Sequence, residues 1–327
     1  MPFTRVVAMA GGVGGARLAH GLAQCLAAEA LTVIVNTGDD FEWLGLTLCP
    51  DLDTVLYTLA GIENRKQGWG RARDTGHVLE ALGPLGAPTW FHVGDRDLAT
   101  HLRRSELLWK GYSLTEVTRV LAQALGVGPR VLPMTDDELR TRVVTPEGEM
   151  DFQEYFVKRA CEPRVVGFRF EGLETAQASQ AVLEALEHAE LVVLCPSNPY
   201  VSLDPILSLP GIRERVRNRP ALAVSPIIAG AAVKGPAAKM MRELGLEPGA
   251  PEIARHFAGT AQGLVIDTAD AGSTAEIEAM GLRVRATPSL MRGPSGRAAL
   301  ARVVLDFGQE LAGGVHVDVG DRPRQAA

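Results

Sequence analysis

Short, uniformly apolar runs alternate along this chain with segments of helical periodicity, and that alternation limits what it can fold into. Apolar runs occur near 5–10, 31–35, 89–93, 191–195, 221–225 and 263–267; helical spacing follows at 16–27, 53–60, 97–110, 235–244 and 273–280. A strand apolar at every position must be covered on both faces, so the pattern predicts an α/β fold, a mostly parallel sheet with helices on both sides. Ser113 with Glu116 three residues later predicts a capping box opening a helix to about Leu125. RTRVVTPEGEMDFQEYFVKR and RVVGFRFEG break the alternation, and residues 140–175 read as a mixed insertion, a lid or a dimer surface. Residues 313–327 carry little apolar periodicity and read as a frayed tail.

The first apolar run, Val6 to Ala10, enters the glycine-rich string Gly11-Gly12-Val13-Gly14-Gly15, after which Ala16 to Leu26 has helical spacing. Glycines admit close backbone approach, and a helix start offers free N–H groups and the positive end of a dipole, which suits a diphosphate. No Lys-Ser or Lys-Thr follows the glycines, so this is not a Walker motif. The dinucleotide fingerprint is broken by Arg17 at its third glycine, and the second strand ends in Asn36 rather than the acid that holds an NAD ribose.

Beyond that second strand, NTGDDFEWLGLTLCPDLDTVLYTLAG gathers Asp39, Asp40, Asp51 and Asp53. One carboxylate would serve to cap a helix; four like charges call for a cation or a set of donors. Asp267, at the end of a later strand in LVIDTAD, is expected to join Asp40 as a metal ligand. Ser197, Asn198 and Ser225 lie in Ser-Pro turns after two further strands, where ligands bind in open α/β sheets. WFHVGDRDLATHLRR adds Asp95, Arg96, Asp97 and His101; Arg96 is suited to clamp a phosphate or a polar ring edge, while His101 reads as a structural histidine. Trp69, in GWGRARDT, is placed to stack on a planar ligand.

Composition narrows the function classes. A net charge of −6 argues against a nucleic-acid partner. The four cysteines show no paired spacing, which indicates neither zinc nor a disulfide framework and points to a reducing cytoplasm. No apolar run approaches the ~18 residues of a membrane helix, so a protein that avoids membranes is expected.

Together, GGVGGARLAHGL, NTGDD, PDLDTVLYTLAG, GWG with DT, GDRDLATH, PMTDD, FQEYFVKR, PSNPYVSLDPIL and SPIIAG give a chain that resembles the 2-phospho-L-lactate transferases of coenzyme F-420 biosynthesis, the CofD-type family. That resemblance implies a Rossmann-like core over 1–139 and 176–312 that binds a nucleotide and a deazaflavin, and a homodimer. It implies that the terminal ribityl hydroxyl of the 5-deazaflavin Fo attacks the phosphorus carrying a small acid in a guanosine diphosphate ester, releasing GMP with Mg²⁺. The family's Fo-binding acid and arginine map onto Asp53 and Arg96, with Asp53 orienting the hydroxyl. Gly12, Val13, Gly14, Gly15, Ser197 and Asn198 are expected to face the guanosine diphosphate, and Asp40 and Asp267 to hold the metal. The lactyl, enolpyruvyl and glyceryl donors are not distinguished by any motif. The alternatives are a YvcK-like sugar-nucleotide-binding regulator and a nicotinamide-dependent oxidoreductase; the intact GWGRARDT, PDLDT and GDRD strings disfavour the first and the broken fingerprint the second.

Overall fold

The computed structural model describes residues 3–314. Seven parallel strands form the central sheet: β1 Val6–Ala10, β2 Leu31–Val35, β3 Arg130–Pro133, β4 Leu191–Leu194, β5 Ala221–Val224, β6 Gly263–Asp267 and β7 Arg283–Thr287. Their spatial order is β7-β6-β5-β4-β1-β2-β3. β1 therefore pairs with β2 on one side, from Val6 opposite Leu31 to Ala10 opposite Val35, and with β4 on the other, from Val6 opposite Leu191 to Met9 opposite Leu194. The strand order reverses between β1 and β4, and it is beyond the carboxyl ends of strands at such a point that doubly wound sheets bind ligands.

Every residue of β1, β4, β5 and β6 is buried, as the apolar runs require. Successive side chains point to opposite faces. Val7, Met9, Ile34, Val192 and Leu194 enter one apolar core, while Val6, Ala8, Val33, Leu191 and Val193 enter the other. Helix α1, Gly12–Ala23, lies in the second core against α2, Pro50–Leu59, and the C-terminal helix Gly293–Gly314. No helix among the described residues is long and apolar enough to cross a membrane.

Three expectations need correction. Residues 89–93 form no strand. Their aromatic side chains pack locally, Phe91 edge-on against Phe41 at 4.8 Å and Trp90 stacked on it at 6.0 Å, so the apolar character fills a side cluster rather than a ladder. β3 and β7 were not expected, because both are sheet edges whose charged residues interrupt the apolar run. Helix α1 begins at Gly12 rather than Ala16, so the glycines form its first turn.

Ser113 caps the helix Leu114–Ala124 with the expected reciprocal pair: Glu116 N–H donates to Ser113 Oγ at 3.2 Å and Ser113 N–H to Glu116 Oε2 at 2.8 Å. Within residues 140–175, strands Arg140–Thr145, Gly148–Asp151 and Gly167–Glu171 make an antiparallel sheet of their own. Phe152 and Tyr155 of this segment are buried in the first core. Of the tail expected at 313–327, Gly313 and Gly314 close the last helix, and residues 315–327 lie outside the described residues.

Candidate active site

A cavity of about 460 Å³ opens at the carboxyl end of the sheet, lined by residues that follow β1, β2, β4, β5 and β7. Its floor is the start of α1. Gly12 has φ +58°, a left-handed conformation that strains any side chain but glycine's. A Cβ on Gly14 would stand 2.1 Å from the Pro196 carbonyl oxygen, so a glycine there lets α1 approach the turn after β4. The Gly11 N–H donates to Ser197 Oγ at 3.0 Å and the Gly12 N–H to Asp51 Oδ1 at 2.6 Å. The next amides, of Val13 and Gly14, belong to the first turn, have no intrahelical acceptor, and are on the cavity wall.

Beside this floor stand two buried carboxylates, Asp39 from the turn after β2 and Asp51 from the first turn of α2. The Asn36 amide joins them, its Nδ2 lying 2.9 Å from Asp39 Oδ1 and 3.0 Å from Asp51 Oδ2. Gln153 Nε2, from the inserted segment, donates to Asp39 Oδ2 at 2.8 Å. Burial pushes the Asp39 carboxyl well above the usual range, with Asp51 and Asp40 adding to the shift. Burial also carries Asp51 up to about 6, against the opposing pull of its Asn36 and Gly12 hydrogen bonds. Two wall carboxylates held by neutral donors alone offer hard oxygen atoms of the kind that Mg²⁺ takes.

Two residues further along α2, Asp53 faces a polar stripe on helix α3, Asp95–Trp109. Asp97, His101 and Arg104 are spaced i, i+4 and i+7 there, hence on one side of the helix, and all are buried. Arg104 takes both Asp53 oxygens, NH1 to Oδ2 at 3.0 Å and NH2 to Oδ1 at closer range, and its NH1 lies 3.2 Å from His101 Nδ1. Tyr57 Oη donates to Asp97 Oδ1 at 2.6 Å. Burial alone would weaken the Arg104 guanidinium as a base; Asp53 more than offsets it, so Arg104 stays charged. Asp53, Asp97 and His101 bring ligand atoms within 4.8 Å of one another, a spacing a metal could use, and Arg104 balances the Asp53 charge among them. Asp53, Asp97, His101 and Tyr57 line the cavity.

The remaining wall is largely apolar and aromatic: Trp69, Phe91, Phe152 and Phe156, with Val201 and Ile228. Phe152 and Phe156 stack with ring centroids 5.5 Å apart, and Trp69 meets His92 edge-on at 6.1 Å. Such a wall suits a planar ring system.

Residues 6–286 match the family described as 2-phospho-L-lactate transferase CofD. The chain belongs to this family. It is 44% identical over 315 residues to the phosphoenolpyruvate transferase of Streptomyces griseus, covering 94% of this chain and 99% of that one. It is 39% identical over 300 residues to the 2-phospho-L-lactate transferase of Methanosarcina acetivorans, covering 92% and 98%. Among solved structures, a Bacillus halodurans protein described as a member of the upf0052 family superposes with a TM-score of 0.62 at 15% identity, covering 93% of this chain and 99% of that one. That likeness speaks to the fold alone.

Several residues singled out from the sequence line this CofD-family cavity: Gly12, Val13, Gly14, Asp53, Ser197, Asn198, Ser225 and Trp69. Gly15 lies just behind the wall, where a Cβ would stand 2.5 Å from Ser197 Oγ. Ser197 Oγ is bound at both ends to Gly11, accepting from its N–H and donating to its carbonyl at 2.8 Å, so it fixes the turn rather than reaching for a ligand. Asn198 Oδ1 accepts from Tyr200 N–H at 3.0 Å and caps the following turn.

Three others are placed elsewhere. Arg96 is exposed on the first turn of α3 and off the cavity wall; its own N–H donates to Asp74 Oδ1 at 2.7 Å, and the buried arginine beside Asp53 is Arg104. Asp40 is buried off the wall with Oδ1 unpartnered, and it bonds the Cys49 thiol; burial raises it to about 7. Asp267 accepts from Ala269 N–H at 3.0 Å and from Ser289 N–H and Oγ at 2.8 and 2.9 Å. It thereby holds the loop that brings Ser289, Leu290 and Met291 to the cavity. The i, i+4, i+7 polar stripe of α3 was the available sequence signal for Arg104.

Proposed function

We propose that this chain transfers an enolpyruvyl phosphate group from its guanosine diphosphate ester to the terminal ribityl hydroxyl of the 5-deazaflavin Fo, in coenzyme F-420 biosynthesis. The hydroxyl oxygen bonds to the phosphorus that carries the small acid, the bond from that phosphorus to the bridging oxygen breaks, GMP leaves with that oxygen, and the hydroxyl proton is released. The observation that carries the reading is the meeting, in one cavity, of a glycine helix start, a carboxylate pair and an aromatic wall. Phosphoryl transfer needs chiefly positioning and neutralised charge, and these are its parts. The enolpyruvyl donor is favoured over the lactyl one by the relatives from Streptomyces griseus and Streptomyces coelicolor, both named phosphoenolpyruvate transferase, at 44% and 41% identity.

In this reading Asp39 and Asp51 would hold Mg²⁺, which supplies charge neutralisation on the donor's phosphates. The Val13 and Gly14 amides receive phosphate oxygens. Trp69, Phe91 and Phe156 flank the deazaflavin ring. Asp53, its charge balanced by Arg104, accepts a hydrogen bond from the ribityl hydroxyl and aligns it for in-line attack, while Tyr57 and His101 hold Asp97 and Arg104 around it.

Incubation of the purified protein with Fo, Mg²⁺ and each of the three donors tests the proposal, by mass spectrometry of the product and by GMP release. Phosphodiester formation fastest with the enolpyruvyl donor is expected. Guanine-nucleotide binding without turnover would instead favour a regulator, and product from the lactyl donor alone would overturn the choice of acid.

A further inference from the structure

The cavity wall carries charges of both signs. Asp53 and Asp97 line it from α2 and α3, Asp51 adjoins the start of α1 through the Gly12 N–H, and two cations, Arg17 and Lys234, reach it from α1 and the loop after β5. Arg17 follows Val13 by four residues on α1 and so shares its face. Among the described residues, no carboxylate lies within hydrogen-bonding or ion-pair reach of its guanidinium; the Glu63 charge acts on it only at longer range, and Glu63 itself is paired with Arg297 at 3.1 Å. Lys234 Nζ donates to the Gln67 carbonyl and has no acidic partner either. A Cβ on Gly68 would stand 2.8 Å from Val13 Cγ1 and 3.0 Å from Lys234 Nζ, so the ammonium sits beside the first turn of α1. Burial, and then the neighbouring Arg17 charge, lower the Lys234 pKa, so the two cations stand close enough to repel each other.

We infer that Arg17 and Lys234, with the first-turn amides of α1, form an anion subsite for the phosphate that stays with the nucleoside when the donor is cleaved. The inference rests on the proposed transferase reading for its ligand, and it adds two residues that touch the leaving group. Charge develops on the oxygen of that phosphate as the bond to the transferred phosphorus breaks, and paired cations aimed at it stabilise the departure. Asp53 and Asp97, on the α2 and α3 wall, leave that side with the aromatic residues to the neutral polyol and ring of the acceptor.

Calorimetric titration of the full chain in EDTA at low salt, with GMP, guanosine and inorganic pyrophosphate as probes, tests the subsite apart from the metal. Arg17→Met and Lys234→Met are each expected to weaken GMP and pyrophosphate at least about tenfold, to reduce the salt dependence of binding, and to leave guanosine unchanged. Lys234 is exposed, so its variant keeps the fold and decides the matter should Arg17→Met not fold. GMP and pyrophosphate affinities within about twofold of the unaltered protein in a folded variant, or no pyrophosphate binding by the unaltered protein, would overturn the subsite. Pyrophosphate binding that depends on both cations, in a protein that does not turn over Fo, would keep the subsite and reject the transferase reading.

Discussion

Asp53 and Arg104 form a buried, doubly bonded ion pair at the cavity wall, which alters what a substitution there does. Asp53→Asn is expected to abolish transfer nearly completely, since a neutral amide no longer aligns the hydroxyl. It also strands a buried guanidinium, at a cost of about 3–5 kcal/mol. Adding Arg104→Met should recover most of the stability in urea unfolding and none of the turnover; turnover near the unaltered level in the folded single variant would remove Asp53 from the chemistry. Asp40 behaves differently. Its folded-state pKa of about 7 lies above the ordinary carboxylate value, so the native state binds more protons than the unfolded chain between about pH 4 and 7, and stability falls as pH rises through that window. Asp40→Asn removes the cost, and is expected to stabilise the protein by up to about 4 kcal/mol at pH 8 while changing it little at pH 4. A pH–stability curve parallel to that of the unaltered protein would rule this out.

At the scale of elements, the glycine turn and α1 do two things that the sequence presented as one. Gly14 faces the cavity, but its lack of a Cβ is spent on packing against Pro196; Gly12 is needed for its positive φ. Gly12→Ala, whose Cβ would meet only Asp51 Oδ1 at 3.8 Å, should cost about 1–2 kcal/mol and still fold. Gly14→Ala should cost more, because a backbone carbonyl must shift, and Gly14→Val should not give soluble native protein. Equal unfolding free energies for the two alanine variants would contradict this division. The glycines were readable as a strand-to-helix turn from their order alone. What Gly14 excludes depends on Pro196, some 180 residues away, which no local pattern contains.

For the whole molecule, the acidic centre is brought together by three elements: Asp39 from the turn after β2, Asp51 from α2, and Gln153 from the inserted segment. If Asp39 and Asp51 hold the metal, chelation should stop GMP release and Mg²⁺ restore it. Asp51→Asn should raise the Mg²⁺ concentration required, and Asp40→Asn should not. Mg²⁺ should also raise the melting temperature of the unaltered protein more at pH 7.5 than at pH 5, since protons compete for the same raised-pKa carboxylates. Full turnover in excess EDTA would reject the metal; unchanged Mg²⁺ dependence in the Asp51 variant would reject only the ligand.

Period and order along the chain were enough to determine the parallel α/β sheet and the succession of strand, glycine turn and helix at its first strand, because full burial demands unbroken apolar strands and a close approach demands residues without bulk. The family, too, was legible in the ordered strings. Tertiary structure decided which of several equivalent charged residues face the cavity. Asp39 and Asp40 are adjacent and chemically identical, yet the turn after β2 sends one to the wall and buries the other against Cys49. Arg96 and Arg104 share a helix, yet only Arg104 lies on the buried side facing Asp53. Asp267 ends its strand as expected, and is then consumed by the Ser289 and Ala269 donors of its own loops. Composition and spacing supply the kinds of group a site contains; the direction in which each side chain leaves the backbone, and the distant donors waiting for it, are fixed only when the elements pack.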